Sequence, residues 1–152
     1  MARPSLREVF MRLAEVWSER STCSSRASVG CVIVNDFYQV IASGYNGSPH
    51  GVRHCDEVGC DLDGSGHCVR SVHAEMNAIL QCARVGVSCN GAIMYCTSSP
   101  CIRCANAIVN AGIKSIWYKD IYREDTDYKV VLRILTEAGV YMYHYPEDKH
   151  VR

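Results

Sequence analysis

His73-Ala74-Glu75 and Pro100-Cys101-Ile102-Arg103-Cys104 are two short segments whose side chains want one partner, so the fold must bring two separate helix starts to a single point. One histidine and two cysteines spaced as Cys-x-x-Cys are ligands that zinc takes in tetrahedral geometry. With only three protein ligands the fourth position is left for water. Zinc brings the pKa of such a water from about 15.7 towards about 7. Glu75 sits two residues from a ligand and is not needed for coordination, so it is free to pass protons between that water and a substrate. The other reading of the same residues is a closed structural zinc site, with Glu75 a solvated helix residue.

The surrounding residues place both segments at helix N-termini. Ser71 offers an N-cap, and Met76, Ile79, Leu80 and Ala83 form an apolar stripe behind it. Pro100 suits a first helical turn, and Ala105, Ile108 and Val109 carry a second stripe to Gly112. Helix dipoles at such a meeting point favour thiolate and hydroxide.

Elsewhere, Ser5-Leu6-Arg7-Glu8 is a capping box. Leu6, Val9, Phe10, Leu13, Ala14 and Trp17 then have helical spacing up to about Glu19. Val29 to Val34 and Val40 to Ser43 are β-branched runs joined through Asn35-Asp36, which predicts an antiparallel hairpin. A strand is expected at Ala92 to Cys96, another at Ser115 to Tyr118, a helix near Tyr128 to Glu137, and a strand at Val140 to Tyr145. Strands alternating with helices imply parallel pairing in that half. The expected product is an α/β fold, a three-layer α/β/α sandwich with a mixed five-stranded sheet, in one domain over residues 1–152.

Composition narrows the partners. The 152 residues are 48% hydrophobic and 21% charged, with a formal net charge of zero and no basic run. That balance suits a compact core and a small substrate better than polynucleotide phosphate. The first residues lack an apolar signal region, so a cytoplasmic location is expected. In that setting the ten cysteines read first as metal ligands and small buried residues, and the Asn46-Gly47-Ser48 sequon is discounted.

Gly44-Tyr45-Asn46-Gly47-Ser48-Pro49 follows the second strand and is by itself a turn whose amides can face an anion or a sugar. Taken with His73-Ala74-Glu75-Met76-Asn77-Ala78-Ile79, Ser99-Pro100-Cys101, Ser21-Thr22-Cys23, Val29-Gly30 and Ala111-Gly112-Ile113-Lys114, it makes the chain resemble the deoxycytidylate (dCMP) deaminases of the cytidine deaminase fold. The His-x-Glu and Pro-Cys-x-x-Cys pair is the signature of zinc nucleobase deaminases.

The resemblance implies hydrolytic deamination of dCMP to dUMP and ammonia, supplying thymidylate synthesis, with Glu75 catalytic and His73, Cys101 and Cys104 on the zinc. It also implies that Asn46 bonds the deoxyribose hydroxyl while the Ala74 amide and Glu75 hold the cytosine edge. For the 5′-phosphate the sequence offers Arg26, with Ser28 and Tyr122; read without the family, Arg26 is an ordinary surface arginine. The family further implies a homohexamer activated by dCTP and inhibited by dTTP, with Mg²⁺ on the triphosphate. The Tyr45-Asn46-Gly47 loop and Arg84 are expected at that allosteric site. The rivals are deaminases of cytidine, guanine or tRNA adenosine and, from another class, a non-catalytic zinc-binding interaction module.

The segment between Gly51 and Arg70 has little apolar content but carries His54-Cys55, Cys60 and His67-Cys68. Such a loop is expensive to order unless something ties it. By the same resemblance, Cys23, Cys55, Cys60 and either His67 or Cys68 would close a second, structural zinc site; the alternative is free cysteines in a flexible loop. Cys31, Cys82, Cys89 and Cys96 have no partner at metal spacing and read as buried apolar residues. The alternation of Tyr141, Tyr143 and Tyr145 reads as one face of an edge strand, His144 and His150 as surface residues, and Pro146 to Arg152 as a polar, fraying tail.

Overall fold

The computed structural model describes residues 2–122 and 126–146, so His150 and the tail beyond Pro146 lie outside the described residues. The sheet is organised around β1 (Gly30–Val34), whose sequence Gly-Cys-Val-Ile-Val has no polar side chain and is buried at every position. A strand of that kind needs cover on both faces. Cys31 and Ile33 enter one core with Ala78, Met94 and Ile108, while Val32 and Val34 enter another with Phe10, Met11 and Ala14.

β1 pairs antiparallel with β2 (Val40–Tyr45) on one side and with β3 (Ile93–Ser98) on the other. β4 (Ser115–Asp120) and β5 (Tyr141–His144) then add in parallel, giving the order β2-β1-β3-β4-β5. The mixed five-stranded sheet expected from the sequence is present. α1 (Leu6–Ser18) covers one face, capped by Ser5 Oγ accepting from the Glu8 N–H at 3.2 Å. α3 (Ala74–Val85), α4 (Ile102–Asn110) and α5 (Thr126–Glu137) cover the other through Ala78, Cys82, Cys104, Ala105, Val131 and Leu135. Three layers result.

Some details differ from the sequence reading. The buried stripe of α1 is Phe10, Met11 and Ala14, whereas Leu6, Leu13 and Trp17 stay substantially exposed. A four-residue helix, α2 (Cys55–Val58), interrupts the loop read as irregular, its start held by the His54 N–H donating to Glu57 Oε2 at 2.8 Å. Cys31, Cys82, Cys89 and Cys96 are buried as expected. β5 is an edge strand, with Tyr141 exposed and Tyr143 stacked on Trp117 at 4.5 Å. His144 is not a plain surface residue: its ring stacks on Tyr118 at 5.0 Å, and its Nε2 lies 2.8 Å from the Lys119 carbonyl oxygen.

Gly44 sets the distance between sheet and helix. A Cβ there would run into the Ala74 carbonyl oxygen and approach the Ala78 nitrogen to 2.7 Å, so only glycine lets α3 lie this close to β2. Among the described residues, no helix is long and apolar enough to cross a membrane.

Candidate active site

α3 and α4 start side by side, and the side chains at their two N-caps meet. His73 caps α3 and Cys101 caps α4; both have extended backbones, and neither side chain makes a capping hydrogen bond. Ser71 and Pro100 therefore do not open the helices as their sequence positions suggested. The helices begin later, because the capping positions are taken by the two residues whose side chains converge.

The convergence is tight enough for an ion. His73 Nδ1 lies 3.5 Å from Cys101 Sγ and 3.6 Å from Cys104 Sγ. Zinc bonds of about 2.0 Å to nitrogen and about 2.3 Å to sulfur, meeting near the tetrahedral angle, place those atoms about 3.6 Å apart. The residues present fit zinc in both donor type and spacing. The Cys104 thiol donates to Cys101, holding the Cys101 thiol down to about 4 and pushing Cys104 up. A separate hydrogen bond between His73 and Cys101 pushes His73 up.

Glu75 lies in the first turn of α3, beside His73, Cys101 and Cys104 but outside their cluster, with 4% of its surface exposed. Burial pushes its carboxyl up to about 7. A group with that value changes protonation state readily at neutral pH, which is what a proton carrier requires.

A cavity opens over this cluster, lined by Glu75, His73, Ala74, Arg26, Asn46 and Tyr122 among others. Asn46 is 5% exposed and already engaged: its Nδ2 donates to the Ala27 carbonyl at 3.1 Å, and its Oδ1 accepts from the Val29 N–H at 2.8 Å. One N–H and one lone pair remain for a ligand. Arg26 reaches across the mouth, its Nη1 donating to Tyr122 Oη and its Nη2 to the Gly66 carbonyl, each at 3.4 Å. Tyr122 is set by its own N–H donating to Ser99 Oγ at 2.8 Å.

Ser28 departs from expectation, being exposed and absent from the cavity wall. Its outward side chain follows from Val29, whose backbone N–H is bound to Asn46 and leads directly into the fully buried β1. Two serines that the sequence reading did not place in the cavity, Ser71 and Ser99, line it instead.

The fold subdivides the residues named for regulation. Tyr45 ends β2 and stacks on Trp17 at 6.0 Å, with Gly47 following in a bridge to Val72. The Tyr45 carbonyl accepts from Asn77 Nδ2 at 2.8 Å, placing this loop against the beginning of α3. Arg84 is exposed in the last turn of that helix. From Asn77 to Arg84 is about 10 Å along the axis at roughly 1.5 Å per residue. Tyr45 and Gly47 therefore lie together, and Arg84 apart from them.

A second convergence lies in the loop. The thiols of Cys23, Cys55, Cys60 and Cys68 all lie within 4.8 Å of one another, and Cys55 Sγ is 3.6 Å from Cys68 Sγ. Tetrahedral zinc with four sulfur ligands separates them by about 3.8 Å. His67 does not join them; its Nδ1 meets Ser65 Oγ at 2.5 Å and its N–H donates to Asp63 Oδ1. Hydrogen bonds led by Ser25 hold Cys60 down to about 6, whereas burial pushes Cys55 up to about 12.

Residues 4–119 match the family described as the cytidine and deoxycytidylate deaminase zinc-binding region. The chain belongs to the cytidine and deoxycytidylate deaminase family. Within it, ComE operon protein 2 of Bacillus subtilis is 48% identical over 140 residues, which are 92% of this chain and 71% of that protein. Deoxycytidylate deaminase of Schizosaccharomyces pombe is 38% identical over 155 residues, 96% of this chain but 46% of the yeast protein, so the chain spans about half of that relative. The crystal structure of dCMP deaminase from the cyanophage S-TIM5, in complex with dCMP and dUMP, superposes with a TM-score of 0.79 at 31% identity, covering 95% of this chain and 99% of the phage chain.

Proposed function

We propose that this deaminase converts dCMP and water to dUMP and ammonia, with His73, Cys101 and Cys104 holding a zinc ion and Glu75 moving the protons. The observation that carries the reading is one cavity with a buried carboxyl at its floor, next to a zinc-fitting ligand triad, and a guanidinium at its mouth. Zinc, when bound, supplies an activated water nucleophile at neutral pH. Glu75 would take one proton from the attacking water and pass it to the ring nitrogen beside C4, then take the second from the hydroxyl now on C4 and pass it to the amine, so oxygen remains on C4 and nitrogen leaves as ammonia. The Ala74 amide and Asn46 orient the base and sugar. The names of the yeast and phage relatives support dCMP as the substrate.

Arg26 separates a nucleotide enzyme from a nucleoside one, since a planar guanidinium grips phosphate and deoxycytidine has none. Arg26→Glu is expected to raise KM for dCMP by roughly 100-fold or more, from loss of charge-assisted bonds plus repulsion, while changing that for deoxycytidine little. Steady-state assays with both substrates check this, and equal effects on the two would remove Arg26 from the phosphate site.

The four-cysteine cluster is read as a closed structural zinc site, with Cys68 rather than His67 as its fourth ligand. Elemental analysis of the purified protein should give two zinc ions per chain, and Cys55→Ser should leave one. A single ion in the unsubstituted chain would eliminate the second site.

Regulation by dCTP and dTTP, with Mg²⁺ carried on the triphosphate, completes the proposal, together with a cytoplasmic homohexamer and a role in supplying thymidylate synthesis.

A further inference from the structure

Arg26 is held loosely by its own side chain. Its donors meet two neutral acceptors, Tyr122 Oη and the Gly66 carbonyl, each at 3.4 Å and so at the long end of the hydrogen-bond range. Among the described residues, no ion pair includes it. Where the guanidinium stands therefore depends on what holds the backbone beneath it. That backbone belongs to residues 19–29, a strap between α1 and β1 with neither helix nor strand.

The four-cysteine cluster takes hold of the strap at Cys23, three residues before Arg26. Ser25 Oγ meets Cys23 Sγ at 3.5 Å, and Ser24 Oγ meets Cys60 Sγ at 3.9 Å. On the far side of the cluster, Leu62 bridges Cys68 and the Asp63 N–H donates to the His67 carbonyl at 2.8 Å, forming a small hairpin. Its turn carries Gly66, the residue whose carbonyl accepts from Arg26, two positions from Cys68. Strap and hairpin thus close a ring. Cys23 to Arg26 is one arm and Gly66 to Cys68 the other, joined at one end by thiols within 4.8 Å and at the other by the guanidinium. Cys68 lines the cavity over Glu75 together with Arg26, so the ring is part of the cavity wall.

Asn46 is held differently. Its side chain is bound to the Val29 N–H and the Ala27 carbonyl, and its own carbonyl accepts from the Thr22 N–H at 3.3 Å and Ser21 Oγ at 3.2 Å. The residue assigned to the sugar is fixed without the cluster, whereas the residue assigned to the phosphate is fixed through it.

We propose that the four-cysteine cluster sets substrate specificity: by pinning Cys23 against the Gly66 hairpin it positions Arg26 for the 5′-phosphate, and so favours a nucleotide over a nucleoside. This rests on the dCMP and second-zinc readings above. With the cysteines tied to a common ion, the ring has a fixed perimeter. Untied, Arg26 has the freedom of a loop residue, and a guanidinium displaced by about 1 Å loses its paired bonds to phosphate. The cysteines are positioning residues, acting on substrate through Arg26.

The experiment uses Cys55→Ser, because Cys55 belongs to the cluster but to neither arm of the ring. The zinc-loaded protein, Cys55→Ser, Arg26→Ala and the double variant are compared by zinc content, by steady-state kinetics on dCMP and deoxycytidine, and by calorimetric binding of dUMP and deoxyuridine. Cys55→Ser should hold one zinc ion and raise both the dCMP KM and the dUMP Kd roughly 10-fold or more, with kcat and the nucleoside constants within about threefold. In the Arg26→Ala background the same substitution should add less than about twofold, since its effect travels through that guanidinium. Equal losses for dUMP and deoxyuridine, or the same loss with and without Arg26, would mean a merely structural cluster and overturn the proposal. If Cys55→Ser does not fold or keeps both ions, two glycines inserted between Ser25 and Arg26 slacken the strap and leave every cysteine in place. A roughly 10-fold loss for dUMP alone then supports the proposal, and a dUMP affinity within about twofold of the unsubstituted chain overturns it. An unsubstituted chain that binds dUMP no better than deoxyuridine removes the dCMP reading, and one holding a single zinc ion removes the second site; the proposal falls with either.

Discussion

Replacing Glu75 by glutamine is expected to lower dCMP turnover by roughly 10²- to 10⁴-fold while zinc stays bound. Glutamine has nearly the same volume and can still offer hydrogen bonds, so the buried pocket keeps its shape. What it lacks is an exchangeable carboxyl proton. In the native chain, burial has pushed that carboxyl up to about 7, where taking a proton from water and returning it are nearly balanced. Each tenfold loss corresponds to about 1.4 kcal/mol of transition-state stabilisation, so the expected effect is roughly 3–5 kcal/mol from a change of one polar group. Glu75 stands outside the His73, Cys101 and Cys104 cluster, so zinc content should be unchanged. Since the substitution also removes an ionisable group from a desolvated site, the melting temperature should hold or rise. A loss under tenfold, or departure of the catalytic zinc, would sink the assignment of Glu75 as proton carrier. A non-catalytic zinc-binding module makes a different prediction: no turnover to lose.

The second large effect is expected at Gly44. Alanine there puts a methyl group against the Ala74 carbonyl oxygen, within 2.7 Å of the Ala78 nitrogen and 3.1 Å of Asn77 Cβ. Two of these are backbone atoms of the helix and cannot swing aside, so α3 as a whole must retreat from β2. Overpacking of this kind costs roughly 3 kcal/mol or more, which for a chain of this size is a fall of about 6–12 °C in melting temperature. The retreat also displaces His73 and Glu75 relative to Cys101 and Cys104, so activity at permissive temperature should fall more than the folded fraction does. Gly64→Ala is the matched control, because an added Cβ there meets nothing within 4 Å. A melting temperature for Gly44→Ala within about 2 °C of that control would show that the sheet and helix have slack not apparent from their spacing.

Why Gly44 matters could not be read from the chain, and the reason separates what sequence encodes locally from what it does not. The all-apolar β1, the alternation of strands and helices, and the cysteine spacing each state a physical requirement within a few residues, and each is met in the fold. The approach of β2 to α3 depends on residues 30 positions apart, and a glycine after a strand looks like any turn. Ser71 was misread for a related reason: serine before a helical pattern is an N-cap by propensity, but His73 takes the cap because its ring must reach the thiols. Ser28 is polar and two residues from Arg26, but neither fact carries information about which face of the backbone it occupies. His67 and Cys68 are adjacent and both able to bind zinc; only the loop geometry, with the Asp63 and Ser65 contacts drawing His67 aside, favours Cys68.

The unused caps on α3 and α4 link the metal to local motion. Because neither N-cap side chain makes a capping hydrogen bond, both helices start without one of the devices that normally suppresses fraying. Tying His73, Cys101 and Cys104 to a common ion fixes the same two starts from outside the helices. With zinc bound there, metal release and the opening of the two helical turns are expected to be one cooperative event, and amides near Glu75 and Cys104 to exchange with solvent at a rate set by zinc activity and not by global unfolding.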